Sequence, residues 1–214
     1  MRHCGNVTRI AALGLASALG AAFAQPTSSQ LDLLAGRLAD LATRDAAVEE
    51  VVGAPATFTP VLLAWTTNPP DGVRASDLDV GLAEAFDRMK TEAAVPFLIR
   101  VISIKRIGVT LAPWIKGPSN VEYEYPAAEA LVRIGPPAAA AVIKAAQGPM
   151  TQEERLLAIF VVGQTDGVPG SRGVPSSREF LTRALAQAND ERVWAENGLA
   201  QLKEKEEKGR AKAK

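Results

Sequence analysis

One cysteine and one histidine occur among 214 residues, Cys4 and His3, both at the extreme N-terminus. Beyond them the chain offers no thiolate, imidazole or disulfide partner. That excludes Ser-His-Asp and Cys-His catalysis, and zinc held by His or Cys, from everything downstream. Aromatic residues are scarce too, at 5%, while Ala and Leu dominate the apolar set. Strands favour aromatic and branched side chains and helices favour Ala and Leu, so the balance points to helix. No glycine-rich loop ends in Gly-Lys-Ser or Gly-Lys-Thr, so a phosphate cradle of that kind is missing. Neither charge is in excess: 24 basic residues face 24 acidic ones, which leaves no footprint for nucleic acid. No cofactor and no metal site is expected. The length suits one domain with a substantial core.

The one uncharged apolar run lies at the start. Arg2 and Arg9 flank its beginning, residues 10–23 carry no charge, and Ala22-Phe23-Ala24 places small residues where a signal peptidase reads them. The run is shorter than the ~20 residues that a spanning helix needs. The expectation is a signal peptide, residues 1–24, cleaved after Ala24; the alternative is an uncleaved membrane anchor. Cleavage implies a periplasmic or secreted protein with no membrane span, since charges interrupt every later helix. Cys4 precedes the apolar run rather than following it, which argues against a lipoprotein. The exported chain then carries neither Cys nor His, and its stability in an oxidising compartment must come from packing. It holds 22 basic and 24 acidic residues, a net of −2. Residues 203–214 hold six basic and three acidic residues, so the body sits near −5.

Internal repetition organises the remainder. Glu84-Ala85-Phe86-Asp87-Arg88-Met89 aligns without gaps to Glu129-Ala130-Leu131-Val132-Arg133-Ile134, 45 residues later. After a short break Ala93 matches Ala138, Phe97 matches Val142 and Leu98 matches Ile143. Apolar positions three and four apart mark one buried helix face. Lys90-Thr91-Glu92 makes the turn in the first copy and Gly135-Pro136 in the second, where proline in a first turn loses no hydrogen bond. Short turns between amphipathic helices imply antiparallel hairpins. Further helices are expected over residues 152–162, 177–188 and 192–202, with Trp194, Leu199 and Leu202 inward in the last. At the other end Ser28 or Ser29 would cap a helix reaching about Val52, its apolar face made by Leu31, Leu34, Leu38, Leu41 and Val48. Residues 58–65 fit a helix or an extended piece, and residues 104–111 are branched enough for a short strand. Residues 203–214 read as a charged tail that begins as a frayed extension of the last helix and ends disordered.

Ala130-Leu131-Val132-Arg133-Ile134-Gly135 followed by Ala140-Ala141-Val142-Ile143 resembles a HEAT repeat, in the short bacterial form also found in phycobilisome-lyase-type repeats. Residues 78–103 and 151–202 match more loosely, so the resemblance covers roughly half of the exported chain. Long spacers at residues 104–125 and 164–176 depart from an even array. The resemblance implies an all-α fold over residues 25–202, a short right-handed α-solenoid of stacked antiparallel helix pairs with irregular insertions. It implies packing rather than activity.

Carboxylates and tyrosines are the remaining candidates for chemistry. A Ser-Lys dyad fails at Ser103, because Arg106 stands where the lysine belongs. Asp77-Leu78-Asp79 opens like a calcium loop, but Leu82 replaces the glycine and Arg88 the final glutamate; Ser76, Asp77 and Asp79 suit the capping of a helix instead. In an extended Glu122-Tyr123-Glu124-Tyr125 both glutamates would share one face and both tyrosines the other. With Trp114 nearby, that edge could stack on or hydrogen-bond a ligand, or the tyrosines could simply cover the end of the helix stack. Arg172, in the loop with Gly167, Gly170 and Gly173, stands either on a binding surface or in a mobile connection. Trp114, Glu122, Tyr123, Glu124, Tyr125 and Arg172 are therefore the candidate binding residues, with none assigned to catalysis. The expected function is a non-catalytic interaction or scaffold module of the cell envelope, binding a protein or peptide partner along a helical surface. A small-molecule binder or enzyme using the carboxylate and tyrosine groups near Glu122–Tyr125 is the alternative.

Overall fold

The computed structural model describes residues 26–106, 121–171, 174–187 and 190–212. The segment read as a signal peptide, most of the expected strand at 104–111, Trp114 and Arg172 lie outside them. The fold is all-α: α1 (Ser28–Ala39), α2 (Arg44–Gly53), α3 (Pro55–Trp65), α4 (Ala75–Met89), α5 (Val95–Arg100), α6 (Val121–Glu124), α7 (Pro126–Ile134), α8 (Pro136–Ala145), α9 (Gln152–Gln164), α10 (Ser177–Leu185) and α11 (Asp190–Lys212). Among the described residues the one β feature is an isolated bridge between Ser171 and Val174, and no helix is long and apolar enough to cross a membrane.

The single N-terminal helix expected up to Val52 is two helices, and polar side chains cause the break. Asp40 leaves the helical region, and its carboxylate accepts from Ala42 N–H at 3.2 Å and from the Thr43 hydroxyl at 3.1 Å. Such local bonds offer the backbone an alternative to helix. Arg44, 2% exposed, then donates to the carbonyls of Leu38 (2.9 Å) and Ala39 (3.1 Å), satisfying the end of α1 that lacks intrahelical partners. Leu41 falls in this turn and is 57% exposed, not on the buried face. The N-cap is Thr27 rather than Ser28 or Ser29, closing a reciprocal capping box with Gln30. At α4 the expected capping by Ser76, Asp77 and Asp79 is also corrected. Arg74 is the N-cap and has no side-chain capping bond, while Asp77 sits in the first turn, 3.5 Å from Arg74. Residues 58–65 fall within helix α3, entered through Pro55.

Both copies of the repeat are built as their apolar register dictates. Ala85, Phe86 and Leu98 in one, and Ala130, Leu131, Val142 and Ile143 in the other, are fully buried. Each buried Leu, Ile or Phe contributes roughly 1.5–3 kcal/mol relative to exposure. Ala93 breaks the correspondence, being exposed while Ala138 is buried, because the first copy enters its second helix through a 3-10 turn, Glu92–Ala94. The two turns solve one problem differently. Lys90 takes a left-handed conformation (φ 49°) to close α4, whereas Gly135 sits at φ 87° and ψ −145°, a region open essentially to glycine.

Helix α4 packs on α7, α7 on α9 and α9 on α11, while α5 packs on α8 and α8 on α10; α1 and α2 lie against α4. Two crossings bring backbones together. A Cβ on Gly81 would collide with the Leu38 carbonyl of α1, and one on Gly163 would stand 2.5 Å from Gly198 Cα of α11. The last helix, expected to end regular packing at Leu202, continues to Lys212. Lys205 donates to the Gln164 carbonyl at the end of α9, and Glu206 pairs with Arg178 at 2.8 Å.

Candidate functional site

The segment whose pattern was weighed for an extended form is helical. Residues 121–124 form α6, so the alternation that would have put both tyrosines on one face does not operate. Tyr123 is 65% exposed, Glu122 is exposed, Glu124 is half-buried and Tyr125 is 9% exposed. Two cations shortly after α5, Lys105 and Arg106, fasten this turn. Arg106 N–H donates to the Glu124 carbonyl at 2.9 Å, and its guanidinium donates to the carbonyls of Glu122 (2.7 Å) and Tyr123 (3.0 Å). Lys105 lies 3.4 Å from the Glu124 carboxylate and 3.0 Å from that of Glu153.

On one side of α6, Tyr125 donates its phenol proton to Glu153 at 2.6 Å, and the Lys105 ammonium stands 5.2 Å from the centre of the Tyr125 ring. Burial, followed by the bond to Glu153, pushes the phenol up to about 12. Hydrogen bonds to Tyr125 and Glu153 hold Lys105 above its usual range. Burial pushes the Glu153 carboxyl up, but the bonds from Tyr125 and Lys105 outweigh it and hold it low. These groups stabilise one another's ordinary protonation states. Tyr125 and Glu153 border an open hollow of about 550 Å³ between the starts of α9 and α11, with Leu156 and half-buried Trp194 on its apolar side and Asp190 on its rim. Trp194 packs edge-to-face with Phe160 at 6.4 Å and also lines the hollow.

On the other side Arg106 joins the two repeat copies. It donates to Glu84 of α4 at 2.7 Å and to Glu129 of α7 at 2.9 Å. Burial lowers the Arg106 guanidinium's affinity for its proton, and the two carboxylates more than restore it. Arg133 of α7 completes the chain, bonding Asp87 at 2.9 Å and Glu129. These groups line a basin of about 420 Å³ with Asp45, Glu49 and Arg88 at its mouth and buried Val48 and Asp87 at its floor. Asp87 is unusual. Its side chain is 8% exposed, Oδ2 meets Arg133, and Oδ1 has no hydrogen-bond partner. Burial pushes the carboxyl up to about 6 against the pull of Arg133, with Glu129 adding to the rise.

Of the six candidate residues, the structure brings Glu124 and Tyr125 into one hydrogen-bonded group and leaves Glu122 and Tyr123 exposed; Trp114 and Arg172 lie outside the described residues. The sequence reasoning missed Lys105, Arg106, Glu153 and the basin. Part of the basin was visible, because the repeat places Glu84 with Arg88 and Glu129 with Arg133 at identical positions, each pair four residues apart on one helix face. Among the described residues there is no group of three or more His, Cys, Asp or Glu placed to hold a metal ion. The chain matches no protein-family model and no curated protein.

Proposed function

We propose that this chain is an exported, non-catalytic interaction module, a HEAT-like solenoid that binds a protein or peptide of the cell envelope along one side of its helices. The observation that carries the reading is the order of packing: α4, α7, α9 and α11 touch in succession on one side, and α5, α8 and α10 on the other. Stacked pairs of this kind present a continuous surface suited to extended partners. That surface offers exposed Tyr123, the Trp194 hollow and the charged basin within one run of helices. The groups near Tyr125 favour binding over catalysis. A phenol at about 12 and an ammonium held protonated are poor bases and nucleophiles at neutral pH.

The test is a crosslinked pull-down of tagged protein from its native envelope fraction, with crosslinks mapped. One partner recovered in near-equal amount, with crosslinks near Tyr123 and Trp194 and loss of capture in Trp194→Ala, is the expected result. Capture of no protein at all would overturn the reading.

A further inference from the structure

We propose that the hollow between α8, α9 and α10 binds the C-terminal residue of a partner polypeptide, seating its apolar side chain and holding its free carboxylate on Arg183. This rests on the interaction-module reading and specifies the partner's chemistry. The hollow measures about 200 Å³. Its floor is buried Ile143, Ile159 and Ala184, with half-buried Phe180 on its wall. An apolar cavity of about 150 Å³ holds one benzene ring, so this one takes a single side chain of leucine or phenylalanine size.

The rim is charged and short of anions. Arg155, Arg183 and Glu191 stand there, two guanidiniums against one carboxylate. Glu191 is 8% exposed and already faces Arg155 at 3.5 Å. Exposed Arg183 has no such partner: among the described residues its guanidinium makes no ion pair and no hydrogen bond. Glu179, one turn earlier on α10, turns its carboxylate to Ser176 instead, accepting from the N–H at 2.8 Å and from the hydroxyl at 3.1 Å. A guanidinium binds a carboxylate through two parallel N–H donors, which a point charge does not offer. An apolar floor beneath an unpaired guanidinium therefore selects a ligand that carries both features together. The last residue of a polypeptide does so, its carboxylate joined to the same carbon as its side chain. Exposed Gln187, on the same rim, can hydrogen-bond the peptide group that precedes it.

The test uses N-acetyl-alanyl-leucine as probe, followed by amide NMR of the whole protein. Saturable shifts in α8, α9 and α10 are the expected result, with the C-terminally amidated probe binding at least about tenfold more weakly. Arg183→Gln, an exposed substitution that leaves the core intact, should weaken the free-acid probe to the same degree and leave the amidated one unchanged. Ala146→Leu, which fills the hollow from its wall, should abolish binding of both. Hexanoate, an apolar carboxylate without a peptide group, should bind more weakly than the dipeptide. Equal binding of the amidated probe, an unmoved affinity in Arg183→Gln, or hexanoate saturating the hollow where the dipeptide does not, would each overturn the site. In the pull-down, a partner captured as well by Arg183→Gln as by wild type overturns the site and leaves the module reading standing. Wild type that binds the dipeptide but captures no protein overturns the module reading and leaves the hollow a site for free peptides.

Discussion

Gly163→Ala tests how closely α9 and α11 approach. The added Cβ would lie 2.5 Å from Gly198 Cα and 3.5 Å from its carbonyl carbon, whereas carbons rest at about 3.5–4.0 Å. Both neighbours are backbone atoms, so no rotamer change relieves the collision, and the helices must part by roughly 1 Å. Val161, Val162, Leu181 and Ala195, all fully buried beside the crossing, would lose contact as they do. Overpacking of this kind costs about 3 kcal/mol, at the upper end of its usual range. Alanine returns at most about 1 kcal/mol in helix propensity, so the net loss is about 2 kcal/mol.

Two companion variants calibrate that figure. At Gly198 the new Cβ meets Leu181 Cδ2 at 3.2 Å and Gly163 Cα at 3.3 Å; the leucine can yield, and Gly198→Ala should stay within about 0.5 kcal/mol of wild type. Gly36, exposed in α1, has nothing within 4 Å of a new Cβ, so Gly36→Ala should gain about 0.5–1 kcal/mol. Thermal unfolding followed by helical circular dichroism should rank Gly36→Ala first, then wild type with Gly198→Ala, then Gly163→Ala. The last should melt about 4–8 °C below wild type. A Gly163→Ala protein as stable as wild type would refute the backbone contact and the packing argument built on it.

Gly135→Ala places a side chain at φ 87° and ψ −145°, where no clash but much backbone strain awaits, and urea denaturation should show a loss of about 1–3 kcal/mol. Asp87 holds its proton more tightly folded (about 6) than at the ordinary 3.8, so the native state binds more protons between those values. Its contribution to stability should therefore fall as pH rises from about 4 to 6 and level off above, by about 1–2 kcal/mol after allowance for solvent screening; Asp87→Asn should lack that slope in urea titrations across the window. Tyr125→Phe removes the 2.6 Å bond to Glu153 and should cost about 1–2 kcal/mol in the same assay. In wild type an alkaline absorbance titration should find this phenol ionising at about 12.

The helical class and the two repeat copies were legible in the chain alone, since burial of Phe86, Leu98, Leu131 and Ile143 follows from apolar spacing along it. Scarce aromatics, the absence of Cys and His after residue 4, and Gly135 before Pro136 were equally legible, being properties of composition or of neighbouring residues. The rest arose only when the helices came together. Arg44 could divide α1 from α2 only by finding the carbonyls of Leu38 and Ala39, and residues 121–124 became helical with Arg106 holding their carbonyls. Gly163 and Gly198 acquired meaning only where α9 crosses α11. The basin joins charges from residue 45 to residue 133, and one-dimensional periodicity reports which face a side chain takes, not which distant charge will meet it there. The missing partner of Asp87 Oδ1 is likewise a property of the assembled helices, because a carboxylate lacks a donor only once folding has removed its water.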